Sequence, residues 1–301
     1  MSDRPRTIYL DFDGAWAGFE TGLPRVDATG WGPRLRFSAS PRTIEHFYRE
    51  MEPRLADFVL YGSGDFHHLT GLFLRRVREP ITLVALDNHP DWDVRPPRWC
   101  CGSWVNRALE LPRVQHIAIW GCGNFECWWP HQLFGNRKAE RAGKLEVHPW
   151  ADDRPLKDRN RRGAILREDW RARFQKSVED LAGRAIYITV DLDCLAPTVS
   201  WTNWENGKFT IEDVIWILGL LRQHARIVGG DLCGGYSPGV FARRKQRFAS
   251  KMDHPRIEFA SQETIRAVNQ AAFAAIWPAL TQGNEYDSGT DQSSAKKQAR
   301  S

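Results

Sequence analysis

Two stretches of this chain carry ionisable ligand-type side chains at every second position. The first is Asp87-Asn88-His89-Pro90-Asp91; the second is Asp191-Leu192-Asp193. Alternate residues of an extended segment project to the same side. Asp87, His89 and Asp91 can therefore converge on one point, and Asp191 can join Asp193 in the same way. Hard carboxylate oxygens combined with an imidazole suit a divalent metal ion. A third source of ligands is His67-His68, which follows Gly64-Asp65-Phe66. Taken singly, each residue has a bland reading: Asp87 as a strand-end cap, His89 as a hydrogen-bonded loop histidine. Their joint placement makes a shared site the better reading.

The placement depends on strands. Residues 81–86, Ile-Thr-Leu-Val-Ala-Leu, form a short continuous apolar run rich in β-branched residues, as expected for a buried strand of a parallel sheet. Residues 185–190 repeat the pattern before Asp191, and 57–61 lead toward His67. Open α/β sheets bind ligands beyond the carboxyl ends of their strands. Further strands are expected at 7–10, 114–119, 144–148 and 225–228. Helices are expected at 41–51 behind Ser40 as N-cap, 68–77, 103–109, 168–181, 211–222 behind Thr210, and 261–280 with a break near Pro278. Strand and helix alternate, which implies an α/β protein with helices on both faces of a parallel sheet. Residues 15–41 read as a long loop.

The ordered motifs resemble the arginase–agmatinase family, the ureohydrolases. That family carries a Gly-Gly-Asp-His-Ser loop, an Asp-x-His-x-Asp motif and a Ser-x-Asp-x-Asp-x-x-Asp-Pro motif. Here they stand as Gly64-Asp65-Phe66-His67-His68-Leu69, Asp87 to Asp91, and Thr189-Val190-Asp191-Leu192-Asp193 through Ala196-Pro197. Any one motif is weak evidence; three in order, each ending a strand, are specific. The resemblance implies a three-layer α/β/α fold with a mainly parallel central sheet, one arginase-like domain over residues 1–280. It also implies two manganese ions, with nickel or zinc as alternatives. His67, Asp87, His89, Asp91, Asp191 and Asp193 would be the ligands. Asp87 and Asp191 would bridge, His67 and Asp91 would complete one ion, and His89 and Asp193 the other. A hydroxide shared by the ions would attack a guanidino, amidino or formimino carbon and cleave its C–N bond. The resemblance assigns Asp91 and Asp231 to catalysis, with Asp231 meeting the cationic end of a small-molecule substrate, and it implies a homo-oligomer. His68 stands as an alternative to His67, and Asp93 to Asp91. Four departures bear on the substrate: the first loop lacks its second glycine, Thr189 and Ala196 stand where the family has Ser and Asp, residues 101–106 contain no shuttle histidine, and Asp231 stands where arginases use Glu.

Composition narrows the classes. With 301 residues, 42% of them hydrophobic, the chain can bury a large core. No apolar run is long enough to span a membrane, and the N-terminus lacks a signal-peptide core, so a cytoplasmic location is expected. Six cysteines without paired metal spacing are expected as free thiols. The net charge of +5 is mild and its basic clusters scattered, which argues against nucleic acid as a partner. Fourteen tryptophans, several beside the motifs, are candidates to wall a pocket. Residues 281–301 are polar and expected to be disordered. Two rival readings remain: a haloacid-dehalogenase-type phosphatase built on Asp11-Phe12-Asp13-Gly14, with Asp11 as nucleophile, and a non-catalytic, metal-stabilised binding protein.

Overall fold

A computed structural model describes residues 6–256 and 260–282. Of the disordered tail expected over 281–301, Thr281 instead ends the last helix, and residues 283–301 lie outside the described residues. Eight strands form one parallel sheet in the order β2-β1-β3-β8-β7-β4-β5-β6. They are β1 (Thr7–Asp11), β2 (Arg25–Asp27), β3 (Phe58–Tyr61), β4 (Ile81–Leu86), β5 (Val114–Cys122), β6 (Leu145–Pro149), β7 (Ala185–Asp191) and β8 (Arg226–Cys233). The longer helices are α1 (Pro41–Met51), α2 (Trp170–Glu179), α3 (Ile211–His224), α4 (Arg244–Asp253) and α5 (Gln262–Thr281).

Strand alternation divides the interior into two cores. Val59, Tyr61, Leu83, Ala85 and Tyr187 face one side and pack with Ile44, Phe47 and Met51 of α1. Leu60, Val84, Leu86, Ile186, Ile188 and Val190 face the other, against Trp170 and Phe174 of α2, Ile217 and Leu221 of α3, and Phe273 and Trp277 of α5. Each fully buried side chain of this kind contributes about 1.5–3 kcal/mol. Because the sheet is covered on both faces, its central strands are apolar throughout rather than alternating.

The helix starts follow local chemistry. Ser40 accepts a hydrogen bond from the Thr43 amide, and Thr210 and Asp213 form a reciprocal capping box. Four expectations are corrected. Residues 15–41 contain β2, a short edge strand with little apolar content to signal it. The segment after β3 opens as a 3₁₀ helix at Gly64 and becomes α-helical only over Thr70–Phe73. Pro278 does not break α5, which continues to Thr281: it sits in the last turn, and the carbonyl it leaves unpaired belongs to exposed Ala274, where water can reach it. Strand β8 does not stop at Val228 but runs through Gly229 and Gly230 to Cys233. Those glycines are required inside the sheet, because a Cβ on Gly229 would lie 2.8 Å from the Asp57 carbonyl and one on Gly230 would lie 2.6 Å from that of Ile188.

Candidate metal centre

Strands β4 and β7 are neighbours at the middle of the sheet, with Ala85 beside Thr189. Beyond each strand the chain turns instead of running on extended, with the His89 amide donating to Asp87 Oδ1 and the Asp193 amide to Asp191 Oδ1, and these turns bring Asp87 and His89 after β4 against Asp191 and Asp193 after β7. The 3₁₀ segment after β3 supplies His67. All six residues sit together and are buried. His67 Nδ1 lies 3.1 Å from Asp87 Oδ2, 3.4 Å from Asp91 Oδ2 and 3.5 Å from Asp191 Oδ2. His89 Nδ1 lies 2.9 Å from Asp193 Oδ2 and 3.7 Å from Asp87 Oδ1. Asp87 thus turns one oxygen toward each histidine and belongs to two ligand groups, His67–Asp87–Asp91 and Asp87–His89–Asp193. Asp91 reaches its place through a left-handed backbone conformation, φ 44°, and its Oδ2 accepts a hydrogen bond of 2.6 Å from Trp104 Nε1. Two glycines make room for Asp191: a Cβ on Gly64 would lie 2.9 Å from its Oδ2, and one on Gly234 would lie 2.2 Å from its Oδ1.

The outer nitrogens of both histidines are engaged. His67 Nε2 lies 2.9 Å from Thr189 Oγ1, which donates at 2.5 Å to Asp231 Oδ1. A hydroxyl has one proton to give. With that proton on Asp231, Thr189 can only accept from His67, which fixes Nε2–H and makes Nδ1, facing the carboxylates, the nitrogen that can give up its proton to a metal ion. His89 Nε2 lies 3.2 Å from Glu205 Oε2, an acceptor only, and the same logic follows. Electrostatics agrees that the centre lacks positive charge. Burial, and then repulsion from Asp191 and Asp87, pushes Asp193 well above the usual carboxylate range. Burial and the Asp87 charge push Asp91 up to about 6. Burial alone would lower both histidines, but the surrounding aspartates outweigh it and raise each well above the ordinary imidazole value. The raised histidines thus hold protons toward the carboxylates, and a divalent ion seated between them would take the place of those protons at Nδ1. The donor set of oxygens and imidazole nitrogen therefore fits divalent ions.

His68 does not join this group. It is fully buried with neither ring nitrogen hydrogen-bonded, and burial pulls it down to about 3. Asp93 turns away to pair with Arg95. Asp231 is corrected. It lies inside β8 rather than at its end, is fully buried, and accepts from the hydroxyls of Thr70, Tyr187 and Thr189. It does not line the crevice above the ligands; its Oδ1 accepts from Thr189, whose hydroxyl is the partner of His67 Nε2. Asp11 and Asp13 are also placed elsewhere: Asp11 is bound by Arg25 and the Gly14 amide, and Asp13 by Arg36, Ser237 and the Ser63 amide. That arrangement pins a loop and leaves no free nucleophile, so the phosphatase reading is not favoured.

The crevice, about 480 Å³ including its open mouth, is lined by all six ligand residues together with others, among them Cys101, Phe125, Glu126, Trp204, Glu205 and Asp253. Of the tryptophans near the motifs, Trp204 forms part of this wall and Trp104 orients Asp91. Sequence reasoning missed Glu126, Glu205 and Asp253, which lie outside any motif. Asp253 ends α4, whose run from Arg243 reads as no more than a basic cluster. A wider hollow, about 1840 Å³ including its open mouth, lies near the amino ends of the strands, lined by Arg75, Arg76, Arg78 and Arg113 and away from the ligand groups. No helix among the described residues is long and apolar enough to cross a membrane.

No family model matches the chain. An uncharacterized protein of Thermotoga maritima is 25% identical over 213 residues, 70% of this chain and 71% of that one. Solved structures similar to this one include an arginase from Medicago truncatula, 14% identical with a TM-score of 0.52, covering 91% of this chain and 85% of that one. A proclavaminate amidino hydrolase from Streptomyces clavuligerus is 14% identical with a TM-score of 0.52, covering 93% and 94%. Formimidoylglutamase from Bacillus subtilis is 11% identical with a TM-score of 0.51, covering 92% and 88%. At such identities the likeness is one of architecture: the chain has the arginase-like α/β fold, in a sequence far diverged from these three.

Proposed function

We propose that the protein is a binuclear-metal hydrolase that cleaves a C–N bond of a guanidino, amidino or formimino compound. The observation that carries this reading is the pair of histidines whose outer nitrogens are tied to Thr189 and Glu205 while both inner Nδ1 atoms face aspartates that share Asp87. His67, Asp87, Asp91 and Asp191 would hold one ion; Asp87, His89, Asp191 and Asp193 would hold the other. Manganese is the proposed metal, with nickel or zinc as alternatives. When bound, two adjacent divalent ions lower the pKa of a shared water toward neutrality. The chain's own residues do the rest. Thr189 and Glu205 hold the imidazoles in the required tautomer. Trp104 fixes Asp91 through Oδ2, and Oδ1, outside that hydrogen bond, is the atom we assign to carry the proton toward the departing amine. Asp231 anchors Thr189. The homo-oligomer and the cytoplasmic location belong to the same proposal.

Elemental analysis of the purified protein, joined to a screen for urea or ammonia release from guanidino, amidino and formimino compounds, tests it. Two divalent ions per chain and metal-dependent release are expected. Full metal content and activity in Asp191→Ala would refute the ligand set. Stoichiometric metal with no release from any of these compounds would favour the metal-stabilised binding protein instead.

A further inference from the structure

Cys233 ends β8, and the sheet register sets it beside Asp191, the last residue of β7. Its thiol donates to Asp191 Oδ2 at 3.3 Å, the same oxygen that lies 3.5 Å from His67 Nδ1. His67, Asp191 and Cys233 make a third ligand group beside the two that share Asp87, with one ligand atom of each within 4.8 Å of the others. Among the described residues no other cysteine belongs to such a group, although Cys194 follows Asp193 and Cys101 lines the crevice. The separations suit shared coordination. Around one divalent ion, with bonds of about 2.0–2.3 Å, neighbouring sulfur, oxygen and nitrogen ligands stand about 3–3.6 Å apart. The Cys233 side chain is fully buried and does not line the crevice wall, so it meets the centre from the protein side and leaves the face open to a substrate free.

Resting on the proposed binuclear centre, we infer that Cys233 is a further ligand of the ion beside His67, and that this ion is a thiophilic metal of the zinc class. Thiolate selects such metals, whereas carboxylate donors suit manganese. The ion beside His89 has carboxylates and imidazole alone in its ligand group, so the two positions differ in kind. On binding, the S–H bond now aimed at Asp191 Oδ2 is exchanged for a metal–sulfur bond, and the proton is released to solvent.

The test uses the full chain, freed of metal and reloaded with cobalt(II) or with zinc. Cobalt should show its visible ligand-field bands and, in the near ultraviolet, a sulfur-to-cobalt charge-transfer band. Cys233→Ser should abolish the charge-transfer band, keep cobalt at the His89 position, and weaken zinc binding at least about tenfold more than manganese binding. Cys101→Ser, the control on the crevice wall, should leave the band unchanged. X-ray absorption at the zinc edge of the wild type should find a sulfur neighbour at about 2.3 Å, a measurement that needs no variant. Bound metal without the sulfur band and without that neighbour would remove Cys233 from the centre and leave the hydrolase standing. A band kept in Cys233→Ser but lost in Cys101→Ser would overturn the assignment in the same way. A chain that binds neither cobalt nor zinc would remove the metal centre itself, and this inference with it.

Discussion

Thr189→Val replaces a hydroxyl by a methyl of nearly the same shape and tests the tautomer argument directly. Two bonds disappear: the one accepted from His67 Nε2 at 2.9 Å and the one donated to Asp231 Oδ1 at 2.5 Å. Asp231 keeps the hydroxyls of Tyr187 and Thr70, so its loss is partial. His67 Nε2–H loses its one acceptor in a fully buried position, which costs about 1–3 kcal/mol of stability. The larger effect falls on the metal. With Nε2 no longer held, His67 can place its proton on Nδ1 and close the lone pair to a cation. Loss of such an outer-shell partner weakens metal affinity or activity by roughly 10–100-fold. Metal titration against a chelator, on folded protein of verified secondary structure, measures it. Thr189→Ser keeps the hydroxyl and should restore affinity to near the wild-type value. Wild-type metal affinity in the Val variant, or a Ser variant as weak as the Val variant, would refute the reasoning.

Asp231→Asn should lower metal affinity, because it removes the charge that orients Thr189; unchanged metal binding with altered KM would return Asp231 to the substrate. Gly234→Ala puts a Cβ 2.2 Å from Asp191 Oδ1 at a φ of +97°, so metal affinity and thermal stability should both fall, the latter by about 1–3 kcal/mol. Gly219→Ala in α3, with nothing within 4 Å of the new Cβ, is the control and should be neutral or stabilising. The contact between His254 and Asp65, 2.7 Å long, should depend on pH. Burial would lower His254, but Asp65 outweighs it and holds the imidazole above its ordinary 6.5. A raised folded-state pKa stabilises fully below the unfolded value and loses that contribution as pH rises through the folded one. The melting-temperature gap between wild type and His254→Gln should therefore shrink from pH 6 toward pH 9; a constant gap would contradict the pairing.

The strands that position the centre were legible because both faces of the sheet are covered. Residues 81–86 and 185–190 are apolar throughout, and their carboxylates begin where burial in the core gives way to the carboxyl-end crevice. α1 and α3 were legible from their caps, which signal a start independently of tertiary structure. The misreadings occurred where tertiary contact overrode a local signal. Gly229-Gly230 reads as a strand end, but the pair lies within β8 because neighbouring backbone leaves no space for a Cβ. α4 has few apolar residues to mark it. It is held by polar contacts, such as Gln246 Nε2 donating to the Arg36 and Ser38 carbonyls, which no periodicity reveals.

The misplacement of Asp231 follows from the same error and shows which part of a site a sequence can encode. The ligand pairs are set locally: the carboxylate that leaves the strand, Asp87 or Asp191, accepts from the amide two residues on, and this turn brings His89 or Asp193 into the same crevice. Asp231 makes no such turn, because two more strand residues follow it, so its carboxylate stops one layer below the ligands, among Tyr187, Thr189 and Thr70. One layer places it behind Thr189 and His67 rather than on the crevice wall. The mouth obeys no local rule. Glu126, Glu205 and Asp253 come together only after the β5 and β7 loops and the end of α4 have packed, and each alone reads as an ordinary surface acid. The metal-type ligand groups were therefore readable from single strand ends, while the acids of the crevice mouth come from loops distant in sequence. That is why the departures from the arginase motifs put the substrate in question but gave no sign of the acids at the mouth.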